Sequence, residues 1–284
     1  MIDIDTKLVT LIGTPLAQSH AAAMHNYVYE KNGINMRYFY TEADASQLGN
    51  IVNAIRYLPS FCGAAVTKPC KTEVIKYLDE LCPECQRIGA CNTIVKLPDG
   101  KLCGYNTDAY GFMFTLSRDM HIDPNGKSFF CIGAGGAARA ICSALAENGA
   151  RRIYVVSRSY DTAFRMAADL NYGYADIVTA LPPESFGKTS ECDVVINASG
   201  VGMGASIGES PMPRECFAPD KLYFDACYEP AQTQFLKYAE AAGGKPINGL
   251  GMSIYQAAEQ IKLWSGKTVS FEQLLRGNEE YEAY

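Results

Sequence analysis

The sequence predicts an α/β fold made of two α/β domains, and three observations support this class. Strand-like apolar segments alternate with helix-like segments in both halves of the chain. A glycine-rich turn follows one apolar strand and opens a helix near the middle of the chain. The last segment, residues 252–284, reads as helices that pack back on the first domain. We therefore expect a first domain at residues 1–110, completed by 252–284, and a second at 111–251.

The first domain is predicted from short apolar runs that end in turn residues. The run at residues 8–12 ends in Gly-Thr-Pro, and Phe61–Val66 ends in Thr-Lys-Pro, with Pro69 suited to the first turn of a helix. A helix over Ala21–Lys31 stops at Asn-Gly, a common helix end. The other predicted elements are a strand at 37–41, a helix at 45–57, and a hairpin of strands 93–97 and 102–105 around a Pro-Asp-Gly turn.

The second domain is predicted from a clearer alternation of apolar strands and helices. Ser128–Ile132 is a buried-type strand, and Arg152–Val156, 193–196 and Leu222–Asp225 follow it. Strands that alternate with helices form parallel βαβ units, because each helix carries the chain back to the start of the next strand. The second domain is therefore expected to contain a parallel sheet.

The glycine-rich turn points to a dinucleotide. Gly133 would allow the tight turn, Gly135 would let a pyrophosphate approach the backbone, and Ala138 would allow close packing of helix and strand. The N–H groups of Gly136 and Ala137, at the helix start, would hold the phosphates. This spacing predicts a Rossmann-type dinucleotide-binding domain, with a purely structural βα turn as the alternative.

The next strand indicates which dinucleotide is bound. It ends at Ser157-Arg158-Ser159, near where an acidic residue of an NAD-binding protein contacts the ribose 2′-hydroxyl. A guanidinium and two hydroxyls suit a 2′-phosphate, so the sequence favours NADP. Asp161 is close enough to leave the use of NAD open, and Arg158 could simply face solvent.

Composition excludes several classes of protein. The formal net charge is −6, and Lys and Arg are not in the excess that a general nucleic-acid surface needs. No apolar run is long enough to span a membrane, and the acidic start does not resemble a secretion signal. The 11 cysteines are an odd number with a single CxxC, Cys82 to Cys85, so we expect reduced thiols, a cytoplasmic protein and no metal site. The chain is expected to act on a small molecule as a monomer or homodimer.

A candidate proton-transfer pair comes from two segments of the first domain. Lys71 follows a predicted strand end, and Asp108 follows the predicted hairpin. Ligands of open α/β sheets bind beyond the carboxyl ends of the strands, so these side chains could converge. Oxidation of an alcohol by a nicotinamide removes a hydride and a proton, and a lysine steadied by a carboxylate can carry that proton. An ordinary surface ion pair is the alternative.

The whole chain resembles the shikimate dehydrogenase family. The resemblance starts at Gly13-Thr-Pro-Leu-Ala-Gln-Ser19 and includes Val66-Thr-Lys-Pro-Cys-Lys71. Further matching segments, in the order of the family, are Asn92-Thr93, Asn106-Thr107-Asp108, the run from Asp193 to Met203, the pattern Asp225, Tyr228, Pro230 and Thr233, and the region from Gly249 to Gly266.

The resemblance implies a role for each matching residue. It makes the first domain the substrate-binding domain and implies reversible NADP-dependent reduction of 3-dehydroshikimate to shikimate, a step of aromatic amino-acid biosynthesis. Lys71 and Asp108 would be the catalytic pair, and Gly249 would lie beside the nicotinamide. The implied substrate-binding residues are Ser19, Thr67, Asn92, Tyr228 and Gln256.

Three positions depart from the family pattern. Ala21 replaces a serine that would donate to the substrate carboxylate, Ala65 replaces an asparagine, and Thr162 replaces the second arginine of the cofactor signature. The lost donor could be replaced by His20, which is otherwise expected to be an exposed loop residue, or by water. A quinate or other cyclic-polyol-acid dehydrogenase, and a ligand-sensing protein without activity, therefore stay open as alternatives.

Overall fold

The computed structural model describes residues 2–17, 19–174 and 176–282. The chain forms two compact units, each with its own sheet. Unit 1 contains the residues up to Tyr110 together with those from Ile254 onward, and unit 2 contains Gly111–Ser253. The expected class, two α/β domains with C-terminal helices that pack on the first, is confirmed.

The sheet of unit 1 has six strands in the order β2-β1-β3-β5-β6-β4. The first three are parallel, whereas β5 is antiparallel to both of its neighbours. The predicted hairpin is thus present, as β5 and β6. The strands are β1 (Lys7–Gly13), β2 (Met36–Glu42), β3 (Phe61–Val66), β4 (Glu80–Leu81), β5 (Thr93–Lys96) and β6 (Leu102–Tyr105).

The helices of unit 1 include one that joins the end of the chain to its beginning. The last helix, α9, packs along α1, and a Cβ on Gly277 would lie 3.1 Å from the Cα of Met24. Glycine at this position lets the two backbones approach closely. Helices α1 (Ala21–Lys31), α2 (Leu48–Tyr57), α3 (Pro83–Ile88) and α9 (Phe271–Glu282) lie in unit 1, whereas α4 (Thr107–Phe114) and α8 (Leu250–Ser265) run across the boundaries between the units.

The sheet of unit 2 is parallel throughout, with the strand order β12-β11-β10-β7-β8-β9. This is the order of a Rossmann fold, with its switch point at β7. Its strands are β7 (Ser128–Ile132), β8 (Arg152–Val156), β9 (Val178–Ala180), β10 (Val194–Asn197), β11 (Leu222–Asp225) and β12 (Lys245–Ile247), and its own helices are α5 (Gly136–Glu147), α6 (Tyr160–Gly173) and α7 (Gln234–Ala241).

The central strand of unit 2 is buried on both faces. Phe129 and Cys131 of β7 pack in one apolar cluster, while Phe130 and Ile132 pack in another. A strand covered on both sides needs apolar residues at every position, which is why this segment is continuously apolar.

Among the helices that the structure describes, none combines the length and the hydrophobicity of a membrane-spanning segment.

The sequence located the long apolar strands but missed the short elements, and it did not assign helices α6 and α7. Strands β4, β9 and β12 have three residues or fewer, and α3 has six, so none shows a clear period. The expectation for Pro69 was wrong, because this residue lies in a turn, and a short 3-10 helix, Glu73–Tyr77, begins only four residues later.

A buried histidine helps to join helix α1 to the sheet of unit 1. The ring of His25 is fully buried, stacks on Tyr38 with centroids 4.3 Å apart, and lies 5.9 Å from the ring of Trp264. Its Nδ1 donates to the carbonyl of Ala21 at 2.8 Å, and Nε2 has no hydrogen-bond partner among the described residues. Burial lowers the pKa of His25 to about 4, although the Ala21 carbonyl and the nearby Gln260 side chain act in the opposite direction.

We predict that this histidine makes unit 1 less stable in acid. Between pH 6.5 and pH 4 the unfolded chain binds a proton at His25 while the folded chain does not. The free energy of unfolding should therefore fall by up to about 3 kcal/mol as the pH decreases through this window. His25→Phe keeps a flat ring and should remove most of that pH dependence. Urea unfolding at a series of pH values measures the free energy of unfolding, and the fluorescence of Trp264, the one tryptophan of the chain, reports on unit 1.

The matched control is His121→Asn, which replaces an exposed histidine and should leave the pH dependence unchanged. Equal pH dependence in His25→Phe and in the unmodified protein would contradict the assignment.

Candidate active site

A half-buried ion pair forms the centre of the candidate site in unit 1. The Nζ atom of Lys71 lies 2.5 Å from Oδ2 of Asp108, and the two side chains are 16% and 9% exposed. Lys71 is in the turn after β3, and Asp108 is the second residue of α4. The structure thus brings together two residues that are 37 positions apart in the chain. The low exposure distinguishes this pair from an ordinary surface ion pair, in which solvent screens both charges.

Asn92 holds the second oxygen of this carboxylate. Its Nδ2 donates to Oδ1 of Asp108 at 2.9 Å, while its Oδ1 accepts from the backbone N–H of Thr107 at 2.8 Å. Because a backbone N–H can only donate, it fixes the orientation of the Asn92 amide and turns the NH₂ group toward Asp108. Asn92 is 2% exposed, so it acts as a rigid support for the carboxylate.

The turn before α4 also holds Asp108 in place. Oδ1 of Asn106 accepts from the backbone N–H groups of Asp108 at 3.1 Å and Ala109 at 3.4 Å, which caps the helix. Nδ2 of Asn106 donates to the carbonyl of Ala90 at 2.8 Å. The turn is therefore bound to the segment just before Asn92, and the two halves of the site are built as one unit.

Helix α8 contributes two glutamines to this network. Oε1 of Gln256 accepts from Asn92 and from the hydroxyl of Thr107, both at 3.3 Å. Gln260, one turn further along, is 2% exposed and donates to the hydroxyl of Thr93 at 2.9 Å. That hydroxyl donates in turn to Oδ1 of Asn92 at 2.8 Å. Sequence reasoning missed Gln260, although its spacing of four residues from Gln256 places both on one helix face.

Two further predicted substrate residues lie in turns of unit 1. Oγ of Ser19 accepts from the N–H of Ala21 at 3.3 Å, so it supports the start of α1 while its hydroxyl can still donate. Thr67 follows β3 and is half-buried. The expectation that His20 is exposed was wrong: it is 6% exposed, and Nδ1 hydrogen-bonds to Oδ1 of Asn278 at 2.9 Å. His20 lies under α9 because this helix returns to cover the start of α1.

The glycine-rich turn of unit 2 has the shape that a dinucleotide requires. Gly133 has φ +123°, and a Cβ on it would lie 2.6 Å from the carbonyl oxygen of Ala198, so only glycine fits. A Cβ on Gly135 would meet no atom within 4 Å, which leaves the turn open to an approaching ligand. Helix α5 begins there with no side-chain cap and no acidic residue in its first turn. Gly136 and Ala137 therefore present N–H groups in a positive field, as a phosphate requires.

A cationic side chain follows β8, the strand that pairs with β7 in the sheet. Arg158 is exposed, and Ser157 before it is half-buried. Oγ of Ser159 accepts from the N–H of Thr162 at 3.3 Å, so Ser159 is the N-cap of α6. The helix cap fixes where the strand ends, and the guanidinium of Arg158 is left in solvent, where it can bind a phosphate.

The remaining two predicted residues follow β11 and β12 in unit 2. Tyr228 is half-buried in the turn after β11. Gly249 is buried, and a Cβ on it would lie 2.3 Å from the carbonyl oxygen of Ala226, so close backbone packing already explains this glycine. Nearby, burial raises the pKa of Asp225, although Thr233 donates to its carboxylate at 2.6 Å and Asn197 at 2.9 Å. Within residues 2–17, 19–174 and 176–282, no cluster of three or more His, Cys, Asp or Glu side chains could hold a metal ion.

Comparisons with known proteins match both ends of the chain to one family. The family description "Shikimate dehydrogenase substrate binding domain" matches residues 11–94, and "Shikimate 5'-dehydrogenase C-terminal domain" matches 249–276. A shikimate dehydrogenase (NADP(+)) from Halothermothrix orenii is 39% identical over 271 residues, which are 94% of this chain and 93% of that protein.

Two similar chains have been solved in complex with a nicotinamide dinucleotide. Shikimate 5-dehydrogenase from Thermus thermophilus, in complex with NADP(H) and shikimate, has a TM-score of 0.85 at 31% identity and covers 96% of this chain and 99% of its own. Quinate dehydrogenase from Corynebacterium glutamicum, in complex with NAD, has a TM-score of 0.86 at 28% identity and covers 99% of this chain and 100% of its own.

We predict that alanine at Gly133 lowers the stability of unit 2, whereas alanine at Gly135 lowers only its affinity for the dinucleotide. Gly133→Ala forces a Cβ into the backbone of Ala198 at a positive φ, and should destabilise unit 2 by several kcal/mol. Gly135→Ala meets open space at φ −84° and should leave the free energy of unfolding nearly unchanged. It should still weaken dinucleotide binding, because the new methyl group lies where the pyrophosphate approaches. Chemical unfolding and titration with NADP measure the two effects, and equal stability of the two variants would contradict this account.

Proposed function

Because the chain belongs to the shikimate dehydrogenase family, we propose that it reversibly transfers a hydride between NADP(H) and the ring alcohol or ketone of shikimate and 3-dehydroshikimate. The observation that carries this proposal is the half-buried pair of Lys71 and Asp108, whose carboxylate is oriented by Asn92. Unit 1 is the substrate-binding domain and unit 2 the NADP-binding domain in this proposal. The reaction serves aromatic amino-acid biosynthesis.

Lys71 carries the proton of the reaction. In the oxidation of shikimate its neutral amine takes the proton of the ring hydroxyl while the hydride leaves the same carbon. In the reduction its ammonium gives that proton to the ketone oxygen. The bound NADP supplies only the acceptor or donor of the hydride. General acid–base catalysis of this kind typically contributes a factor of about 10²–10⁴ to the rate.

Asp108 gives the amine its position and accepts from the substrate. Oδ2 contacts Lys71, and Oδ1 is held by Asn92, so the carboxylate cannot rotate freely. A carboxylate oxygen has more than one lone pair, so Asp108 can accept from a ring hydroxyl in addition to these two donors. This holds the hydroxyl beside Nζ of Lys71, at the distance that proton transfer needs.

The remaining substrate contacts come from hydroxyl and amide groups. Ser19 keeps an O–H that can donate to the substrate carboxylate, and Gln256 uses only Oε1 in its hydrogen bonds with Asn92 and Thr107. Its Nε2 can therefore donate to a ring hydroxyl. Thr67 and Tyr228 add further hydroxyl groups to this set. The amide of Asn92 is fully used within the protein, so its role is mainly to position Asp108.

The NADP site is formed by the turn at Gly133 and the end of β8. The N–H groups of Gly136 and Ala137 hold the pyrophosphate, with Gly135 leaving room for it. Arg158, with Ser157 and Ser159 beside it, binds the 2′-phosphate that distinguishes NADP from NAD. Gly249 lies at the start of α8 and borders the nicotinamide.

Quinate is the second candidate substrate, because Ala21 lacks the hydroxyl donor of the family pattern and a quinate dehydrogenase is structurally similar. The protein is incubated with shikimate or quinate and with NADP or NAD, and the absorbance of the reduced nicotinamide is followed. The highest kcat/KM is expected with shikimate and NADP. A higher value with quinate would favour the alternative, and no turnover with any pair would leave a ligand-sensing protein.

We predict that Lys71→Met lowers kcat about 10²–10⁴-fold, because the variant keeps the length of the side chain and removes the proton carrier. The KM for shikimate should change less than about tenfold, since most substrate contacts remain. Lys76→Met, which removes an exposed lysine of the same segment, serves as the control and should keep both constants. Near-normal turnover in Lys71→Met would remove Lys71 from this role.

We predict that Arg158→Ala raises the KM for NADP about 10–100-fold and leaves the KM for NAD nearly unchanged. The variant loses a charged hydrogen bond, which contributes about 1.5–3 kcal/mol, and only NADP has the phosphate that receives it. Arg152→Ala, at the opposite end of β8, should change neither constant. An equal increase of KM for both dinucleotides would show that Arg158 does not read the 2′-phosphate.

A further inference from the structure

The three partly exposed cysteines of the described chain differ in chemistry. Cys62, Cys82 and Cys216 are half-buried, and the other eight of the 11 thiols are buried. Burial raises the pKa of Cys62 to about 11 and also raises the pKa of Cys216. Cys82 alone among these three has a lowered pKa, so it is the accessible thiol most readily ionised near neutral pH.

Cys82 is paired with a buried thiol three residues along the chain. Sγ of Cys82 accepts from the backbone N–H of Cys85 at 3.3 Å. Cys85 is 0% exposed, and its Sγ donates to the carbonyl of Ala90 at 3.4 Å. One sulfur can therefore meet a reagent from solvent while the other is held beside it, out of contact with water.

The groups around Cys82 come from two different segments. The pKa of Cys82 is lowered to about 6, mainly by the neighbouring Cys85 side chain, and also by backbone N–H groups of Cys85 and Asn106. Burial and the negative charge of Glu84 act in the opposite direction. Two other titratable groups, Cys103 and Tyr105 of β6, also face this sulfur, and its negative charge contributes to raising their pKa values.

We propose that Cys82 and Cys85 form a redox-active dithiol, in which Cys82 attacks small-molecule disulfides and Cys85 completes the reaction. The thiolate of Cys82 attacks one sulfur of a disulfide RS–SR, the S–S bond breaks, and RS⁻ leaves and takes a proton from water. Cys85 then attacks the sulfur of Cys82, the bond between Cys82 and the R-bearing sulfur breaks, and the second RS⁻ leaves with the proton that Cys85 gives up. The two cysteines are oxidised by two electrons to one disulfide, and RS–SR is reduced to two thiols.

The order of the two steps follows from the environment of each sulfur. The pKa of Cys85 is raised, and the largest cause is its hydrogen bond to the Cys82 sulfur. Cys85 is therefore a poor first nucleophile. Once the Cys82 sulfur carries the R group, it is no longer a thiolate, and this largest cause is removed, while the Cys91 side chain and burial still raise the pKa of Cys85. Cys85 then lies beside the disulfide that it must attack.

This dithiol lies close to the segment that carries Asp108. The N–H of Asn106 faces the Cys82 sulfur, and Asn106 caps the helix that begins at Thr107. Ala90 accepts hydrogen bonds from both Cys85 and Asn106. A disulfide would replace the thiolate that faces Asn106 and remove the S–H donor of Cys85, so both contacts depend on the redox state.

The test uses the full-length protein, reduced and then incubated with oxidised glutathione near neutral pH. Intact mass and peptide mapping are expected to find a Cys82–Cys85 disulfide and no glutathione on Cys62 or Cys216. Cys85→Ser should instead accumulate a mixed disulfide on Cys82, and Cys82→Ser should give neither product. Cys85→Ala serves as a second variant if the serine is not tolerated in this buried position. Modification confined to Cys62 or Cys216, or none at all, would overturn the proposal.

A second measurement needs no substitution. The rate of alkylation of Cys82 by iodoacetamide, mapped by peptide, should rise with a midpoint near pH 6, whereas Cys62 should react only in strong base. A midpoint near the ordinary value of about 8.5 would show that Cys82 is not activated. Cys216→Ser is the matched control and should leave both results unchanged. Activity plays no part in either measurement, so they are independent of the proposed function.

Discussion

The ion pair of Lys71 and Asp108 is the interaction on which the rest of the site depends. The two side chains are 16% and 9% exposed and have lost most of their hydration, so each depends on the other and on further hydrogen bonds for stabilisation. The site supplies these through Asn92, whose own orientation is fixed by the N–H of Thr107. A carboxylate without this support could rotate away from the lysine. The constraint explains why so many polar groups around the pair are buried.

The architecture of unit 1 meets this constraint by a departure from a purely parallel sheet. The hairpin of β5 and β6 puts Asn92 just before one strand and Asp108 just after the other, so both reach the same end of the sheet. Lys71 follows β3, the neighbour of β5. Helix α8 completes the network through Gln256 and Gln260. The turn after β3, the hairpin of β5 and β6, and helix α8 are thus joined by one network of ion-pair and hydrogen-bond contacts.

The candidate cofactor site of unit 2 relies mainly on backbone N–H groups, rather than on a set of charged side chains, to attract an anionic dinucleotide. The turn at Gly133 packs against Ala198, and the open space at Gly135 leaves the first N–H groups of α5 exposed. Backbone dipoles at a helix start then supply much of the attraction for a pyrophosphate. In the proposed function, Arg158 supplies the specificity for a 2′-phosphate. The strand that leads into this turn, β7, is packed on both faces, which anchors the start of the turn to the core.

The sequence by itself determined the α/β class, the parallel sheet of unit 2 and the hairpin, because long apolar runs and turn residues set the conformation of their own segments. It also determined the family, because the family's short motifs occur in order along the chain. The roles of the individual site residues stay a prediction. The sequence predicted that Lys71 and Asp108 could converge, but it gave no distance between them. Only the tertiary structure determined the distance between Nζ and Oδ2 and the burial of both side chains. Tertiary structure also decided that His20 is buried and that Gln260 supports Asn92 through Thr93. These facts depend on contacts between segments remote in sequence, and no local pattern encodes which side chain a returning helix will cover.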